Sequence, residues 1–284
     1  MENVLIHQGF LLAVIVAGTI IGMLLHRVLS KQAKNSEDYA ASLSRLTDVF
    51  GFVSGAVGVL LGLLLSISVT AYQETEKHVD EFNASVVSVF HAVAVYPTPS
   101  KTAIRNDIIC TVNTFYETEV HPQVKNTGLG NLDTTLWIAQ LNRDIDHLPL
   151  ETGAQTETYQ RVLDGSLEMA RWRQQILSTS TKSLPPIIWF VIYGAVLVLS
   201  ILLSLSFADK RRFSLVTATL TYVTLALMIF GLSALDQPLH DEGLGGVVNA
   251  SSMQDMIRDL KVAYPLQPTP VCPDLNPGQE ITWP

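Results

Sequence analysis

The chain has 284 residues, of which 48% are hydrophobic and only 15% are charged, with a net charge of −8 at pH 7 and a mean hydropathy of +0.30. This composition is too apolar for an ordinary soluble domain, and it excludes a collagenous, disordered or disulfide-dense chain. The negative charge balance also argues against a nucleic-acid partner.

Four long segments without a charged residue or a histidine predict four membrane-spanning helices. A helix needs about 20 residues to cross the hydrocarbon core of a bilayer, and each segment has 18 or more. The first segment lies close to Met1, but Glu2 precedes it and no lysine or arginine does, so we interpret it as a retained helix rather than a signal peptide. The segments are 8–25, 49–73, 183–208 and 213–235.

The second predicted span carries a narrow face of small side chains. Such a face lets helices approach closely, which drives helix association in lipid. Packing within one chain and packing between subunits are both compatible with this pattern. The residues of this small-residue face are Gly51, Gly55, Gly58, Gly62 and Ser66, and the first span adds Gly18 and Gly22.

The segment between the second and third spans predicts a helical bundle outside the membrane. Apolar residues continue at spacings of three and four from Val79 to Val93, and this helix is expected to end near Pro97. Turn-forming residues separate further helices predicted at 100–120, 133–147 and 156–179. A short amphipathic helix is predicted at 251–262, in an otherwise proline-rich tail.

These elements predict an all-α fold with four transmembrane helices and a helical extracytoplasmic bundle between helices 2 and 3. The predicted division of the chain is 1–73 for the first two spans, 74–182 for the bundle, 183–236 for the last two spans and 237–284 for the tail.

The distribution of basic residues predicts the orientation in the membrane. Arg27, Lys31, Lys34 and Arg45 lie between the first two spans, and residues 210–212 between the last two are all basic. Because lysine and arginine in short loops stay in the cytoplasm, both termini, the bundle and the tail are predicted on the outer side. The inner side then has 7 basic and 4 acidic residues, and the outer side has 11 basic and 22 acidic ones. Such an exterior would attract cations or a basic partner protein, although an acidic surface also simply keeps a domain soluble.

The two cysteines fall on the same predicted side of the membrane. Cys110 lies in the bundle and Cys272 in the tail. Disulfides persist in an extracytoplasmic compartment, so the sequence predicts a bond between Cys110 and Cys272 that clamps the tail over the bundle. Two free thiols, or pairing to another chain, are the alternatives.

No motif indicates an enzyme. The sequence contains no HExxH, GK[ST], GxSxG or CxxC, and its seven histidines include no pair at metal-ligand spacing. We therefore predict no catalytic residue, no metal and no cofactor.

Two groups of polar residues are candidates for other roles. Thr217, Thr221 and Thr224 share one face of the fourth span, where they would line a pore or bond to carbonyls of their own helix. Arg171 and Arg173 precede the third span, where they would bind a lipid phosphate or another anion, or form salt bridges. The acidic residues expected as salt-bridge partners are Glu74, Glu76, Asp80 and Glu81.

Three stretches of the chain carry a family resemblance. They are GVLLGLLLSISVTAYQETEKHVDEFNAS at 58–85, ARWRQQILSTSTKSLPPIIW at 170–189, and the LDQP motif at 235–238. Together they resemble the bestrophin-like membrane family of bacteria. In that family a phenylalanine often follows the proline of the last motif, and a Gly-Glu pair comes soon after. In this sequence Leu239, His240, Asp241 and Glu242 occupy that stretch instead. The residues specific to the resemblance are Tyr72, Glu81, Asn83, Arg171, Arg173, Trp189, Asp236 and Pro238.

The resemblance implies a multi-pass protein of the bacterial inner membrane, in contact with its lipids and related to the bestrophin anion channels. Two functions stay open at this point. The first is an oligomeric, passive ion channel, and a homo-oligomer is the expected assembly. The second is a structural or accessory subunit of a larger membrane complex, which docks a basic protein through its acidic outer domain.

Overall fold

The computed structural model describes residues 2–32, 36–120, 130–180, 184–206, 211–235, 251–264 and 272–273. Throughout these residues the regular structure is helical and contains no strand, which confirms the predicted all-α fold. The helices are α1 (Glu2–Gln32), α2 (Ser36–Ala92), α3 (Thr98–Phe115), α4 (Leu132–Asp146), α5 (Gly153–Ser180), α6 (Pro186–Ser206), α7 (Arg211–Leu235) and α8 (Ser251–Ala263). A short 3-10 turn, Val93–Val95, follows α2, and a π-helical turn, Tyr116–Val120, follows α3.

Local sequence explains several helix boundaries. Pro99 lies in the first turn of α3 and Pro186 begins α6, where the fixed φ and the missing N–H of proline suit a first helical turn. The side chain of Asn131 caps α4 by accepting a hydrogen bond of 2.9 Å from the backbone N–H of Asp133. Gly130, one residue earlier, has a φ of +50°, a conformation that glycine adopts without steric penalty.

The helix α2 begins earlier than the sequence pattern predicted. It starts at Ser36, so Arg45 lies within the helix and not in a connecting loop. Residues 36–47 contain neither glycine nor proline, and nothing in this segment interrupts a helix. The connection between α1 and α2 is therefore confined to residues 33–35, which lie outside the described residues.

Three of the described helices are long and apolar enough to cross a membrane. The spans are Gly9–Val28, Asp48–Val95 and Pro186–Leu205. The fourth predicted span falls in α7, where the described apolar stretch is the shorter Ala218–Ser233. The structure thus supports several spanning helices, and a total of four stays a prediction.

The chain divides into two compact units. The first consists of Met1–Thr70 and Ser183–Asp236, and the second consists of Ala71–Lys182 and Gln237–Pro284. The core of the first unit is formed by α1, α6, α7 and the early part of α2, with Leu11, Leu61, Val196 and Ile229 among its buried side chains.

Glycine allows α1 and α6 to pack very closely in the first unit. A Cβ placed on Gly18 would lie 2.6 Å from Ser200 Cβ, and one on Gly22 would lie 2.5 Å from Ser204 Cβ. The Ser204 hydroxyl also donates a hydrogen bond of 3.3 Å to the carbonyl of Thr19. Two small residues on each helix, four positions apart, therefore form a contact that no larger side chain would permit.

We expect Gly18→Ala to destabilise the protein because its methyl group would overlap Ser200. Overpacking of this kind costs about 1–3 kcal/mol. Gly9→Ala is the matched control, because Gly9 lies on the same helix and an added Cβ there would have no heavy atom within 4 Å. Both variants gain the same helix propensity from alanine, so the difference between them reports the overlap alone. Thermal unfolding in detergent measures the difference, and Ser200→Gly should restore stability to Gly18→Ala. Equal stability of the two glycine variants would contradict the close contact.

The core of the second unit is built on the later part of α2. The stripe predicted from the sequence, Val79, Phe82, Val86, Phe90 and Val93, is 0–1% exposed, which confirms that it faces a core. Side chains of α3, α4, α5 and α8 complete this core, and the Phe82 and Phe115 rings lie 5.1 Å apart. Apolar side chains at spacings of three and four thus hold a five-helix unit together.

Candidate functional site

The small-residue face of α2 is uncovered in the single chain. Gly51, Gly55, Gly58, Gly62 and Ser66 are all exposed, and an added Cβ on any of the four glycines would meet no heavy atom within 4 Å. The residues of α2 that do pack in the first unit, such as Val57, Leu61 and Leu64, lie on a different face. Among the described residues, no helix of the same chain occupies the small-residue face.

A second apolar surface of α2 is also exposed. Phe52 is 79% exposed, and Leu63 and Ile67 are each 60% exposed. Apolar area of this extent is covered by lipid or by another protein in a working membrane protein. In the described structure α2 therefore has one buried face, one uncovered face of small residues and one uncovered face of large apolar residues.

The threonines predicted on the fourth span lie in α7. Thr224 is exposed, and its hydroxyl donates a hydrogen bond of 2.9 Å to the carbonyl of Leu220. Thr221 is half-buried, and the side chain of Thr217 lies outside the described residues. Thr224 thus bonds to a carbonyl of its own helix, which is one of the two alternatives that the sequence left open. A pore-lining role for the three threonines stays a prediction.

Arg173 forms a buried ion pair in the second unit. Its Nη2 donates to Glu119 Oε1 at 2.6 Å and its Nε donates to Glu119 Oε2 at 3.0 Å. Nη2 also donates to the carbonyl of Asn131 at 3.1 Å, and Nη1 donates to the Thr135 hydroxyl at 3.3 Å. The backbone N–H of Asn131 donates to Glu119 Oε1 at 2.7 Å. This network fastens α5 to the π-helical turn that follows α3 and to the start of α4.

The partner of Arg173 differs from the carboxylates expected from the sequence. Glu74, Glu76, Asp80 and Glu81 are all exposed on α2. Arg173 instead occupies the same inward face of α5 as the buried Met169 and Ile176, so it points into the bundle, where the π-helical turn presents Glu119. The neighbouring Arg171 is exposed, and its guanidinium lies 5.5 Å from the centroid of the Trp172 ring.

The disulfide predicted from the sequence is present. Cys110 and Cys272 are bonded with their Cα atoms 5.4 Å apart. Cys110 is fully buried on α3 and packs with Trp137 of α4. The bond therefore fastens the tail at Cys272 to the interface of α3 and α4.

Sequence reasoning missed a buried arginine beside the end of α2. Arg105 of α3 is 6% exposed, and its Nε and Nη2 both donate to the carbonyl of Phe90 at 3.3 Å. Its guanidinium also stacks on the rings of Phe90 and Tyr264, at 4.6 Å and 4.4 Å from their centroids. Burial lowers the pKa of Arg105, and its charge interaction with Tyr264 opposes that effect. The sequence gives no signal for this cluster, because its members come from three separate helical segments.

Two further residues of the family resemblance have structural contacts. Asn83 Nδ2 donates to the Ser252 hydroxyl at 3.1 Å and so connects α2 with the start of α8. Trp189 is buried in the first unit, and its ring stacks on Tyr193 at 5.9 Å. Asp236 and Pro238 lie outside the described residues. Within the described part of the chain, no group of three His, Cys, Asp or Glu side chains is placed to hold a metal ion.

The described residues form an all-helical fold, and its long apolar helices define an integral membrane protein. A family model described as the bestrophin-like domain matches residues 12–242, which is most of the chain. The protein therefore belongs to the bestrophin-like family, as the sequence resemblance predicted. No curated protein matches the chain.

Solved structures show the same fold. A bacterial bestrophin homologue from Klebsiella pneumoniae, phased with zinc, superposes with a TM-score of 0.67 at 12% identity, covering 89% of this chain and 96% of that one. A point mutant of the homologue from the same organism gives a TM-score of 0.66 at 11% identity, covering 89% of this chain and 98% of that one. At such low identity the likeness establishes the fold alone.

Proposed function

We propose that the protein is a passive ion channel formed by a closed homo-oligomer, in which the small-residue face of α2 packs against other subunits. The observation that carries the proposal is that this face is apolar, narrow and uncovered in the single chain. Small residues allow the close helix approach that holds membrane oligomers together. Membership of the bestrophin-like family supports the same assembly and activity.

The composition of the apolar helices fits passive conduction. Residues 9–25, 49–73, 186–206 and 213–235 contain no Asp, Glu, Lys, Arg or His. Proton relays and ion-coupled transporters usually place such a group within the membrane. Hydroxyls and apolar constrictions suffice for a passive pore, and Thr217, Thr221 and Thr224 are the candidate hydroxyls.

An accessory role in a larger complex is the second candidate, and the charge of the second unit favours it. This unit has 11 basic and 20 acidic residues, so it would attract a basic partner protein. Native mass spectrometry of the detergent-extracted protein separates the two candidates. A single closed homo-oligomer is the expected result, whereas a stable complex with a different protein would replace the channel with the accessory role.

We further propose that the protein lies in the bacterial inner membrane. Its second unit and both termini are then on the side away from the cytoplasm. Basic residues lie near the C-terminal end of α1 and at the start of α7. They support this orientation because lysine and arginine in short connections stay in the cytoplasm. The bond between Cys110 and Cys272 supports it independently, because disulfides persist in an oxidising compartment.

Cysteine labelling in intact cells tests the orientation. A cysteine in place of the exposed Gln160 of α5 should react with a membrane-impermeant thiol reagent. A cysteine in place of Ser36, at the start of α2, should react only after the membrane is opened. The reversed labelling pattern would overturn the proposed orientation.

A further inference from the structure

The second unit contains an open groove between α2 and α8. Its volume is about 550 Å³, within the range of about 300–1,000 Å³ that is typical of small-molecule sites. Val87 and Met256 supply half-buried apolar walls, and His91 and Tyr264 lie along the same groove. Asp255 and Asp259, one helical turn apart on α8, also line it. The groove thus combines apolar walls with two carboxylates.

Hydrogen bonds and stacking hold the groove in shape. The Tyr264 hydroxyl and His91 Nδ1 lie 2.9 Å apart, which joins α8 to α2. The guanidinium of Arg105 stacks on the Tyr264 ring at 4.4 Å and does not itself line the groove. Because these contacts are made within the chain itself, binding would require little ordering of the walls, which favours affinity.

The carboxylates of the groove are available to an incoming cation. Arg258 Nη2 lies 3.0 Å from Asp255 Oδ1, and Arg258 Nε lies 4.0 Å from Asp259 Oδ1. The Arg258 side chain is 70% exposed, and that of Asp259 is 78% exposed. Ion pairs in such exposed positions stabilise by at most about 1 kcal/mol, so an ammonium group seated on the apolar walls competes with Arg258.

We propose that this groove binds a small organic cation, namely an amine with an aromatic or aliphatic body. Its ammonium group lies at Asp255 and Asp259, and its apolar body packs on Val87 and Met256. Charge complementarity selects this class of ligand, since the second unit has 20 acidic and only 11 basic residues and would repel the equivalent anion. The site does not depend on whether the protein conducts ions.

Binding of phenethylamine to the full-length protein in lipid nanodiscs tests the proposal, with 3-phenylpropionate as an anion of the same shape. Calorimetry should show saturable binding of the amine and none of the carboxylate. The double variant Asp255→Asn/Asp259→Asn should weaken amine binding by about tenfold or more, because charge-assisted hydrogen bonds are lost. Asp164→Asn, which removes an exposed carboxylate from α5, should leave the affinity unchanged.

A second variant keeps the test valid if the double variant folds poorly. Val87→Phe fills the groove without changing its charge, so it should abolish amine binding while circular dichroism stays that of the parent protein. Equal binding of the amine and the carboxylate would overturn the proposal, as would unchanged affinity in the folded double variant or in Val87→Phe.

Discussion

Replacing Arg173 by methionine should destabilise the second unit by about 3–5 kcal/mol, which is typical of breaking a buried ion pair. The loss arises because Glu119, whose side chain is 3% exposed, would keep a buried charge without its guanidinium partner. The hydrogen bond from the N–H of Asn131 would remain, but it does not neutralise the carboxylate. Chemical unfolding followed by circular dichroism measures the change in the free energy of unfolding.

Two variants isolate the charge effect of Arg173. Arg171→Met removes an exposed arginine two residues away and should change stability by less than about 0.5 kcal/mol. Glu119→Gln combined with Arg173→Met removes both charges and should recover part of the lost stability, because a neutral amide is less costly to bury. If Arg173→Met were as stable as Arg171→Met, the ion pair would not hold α3, α4 and α5 together.

Removing the disulfide by Cys110→Ala/Cys272→Ala should lower the free energy of unfolding by about 2–5 kcal/mol. The two cysteines are 162 residues apart, and the loop-entropy model gives about 5 kcal/mol for such a separation, an upper figure because the membrane already confines the unfolded chain. Tryptic mapping without reduction should show peptides joined through Cys110 and Cys272. Free alkylation of both thiols in the native, unreduced protein would defeat this prediction.

The single variant Cys272→Ala serves as the control for packing at Cys110. It leaves the fully buried Cys110 beside Trp137 intact while removing the bond to the tail. A loss of stability equal to that of the double variant would assign the effect to the covalent link. A parental stability would instead show that the link contributes nothing.

Elements that depend on local patterns were predictable from the sequence. The stripe from Val79 to Val93 faces a core because its apolar spacing matches the helical repeat. The bond between Cys110 and Cys272 is a long-range contact, but it was predictable because the chain has only two cysteines and both are predicted on the same side of the membrane.

Contacts between distant helices were not predictable in the same way. Arg173 and Glu119 are 54 positions apart. Glu119 lies in a π-helical turn that the pattern of apolar residues does not predict. The burial of Arg105 depends on a backbone carbonyl and on the ring of Tyr264, neither of which a periodicity reveals. The spacing of small residues also does not identify the helix that packs against them. Gly18 packs against α6, whereas a Cβ added to Gly58 would have no heavy atom of another described helix within 4 Å.

Ion current through the purified oligomer in planar lipid bilayers tests the channel proposal most directly. Once native mass spectrometry has verified a homo-oligomer, we expect discrete current steps that change when Thr221 is replaced by phenylalanine, because a larger side chain in the pore wall alters conduction. Val223→Phe on the same helix, at an exposed apolar position, should leave the current as it was. A verified homo-oligomer that passes no current would contradict the channel.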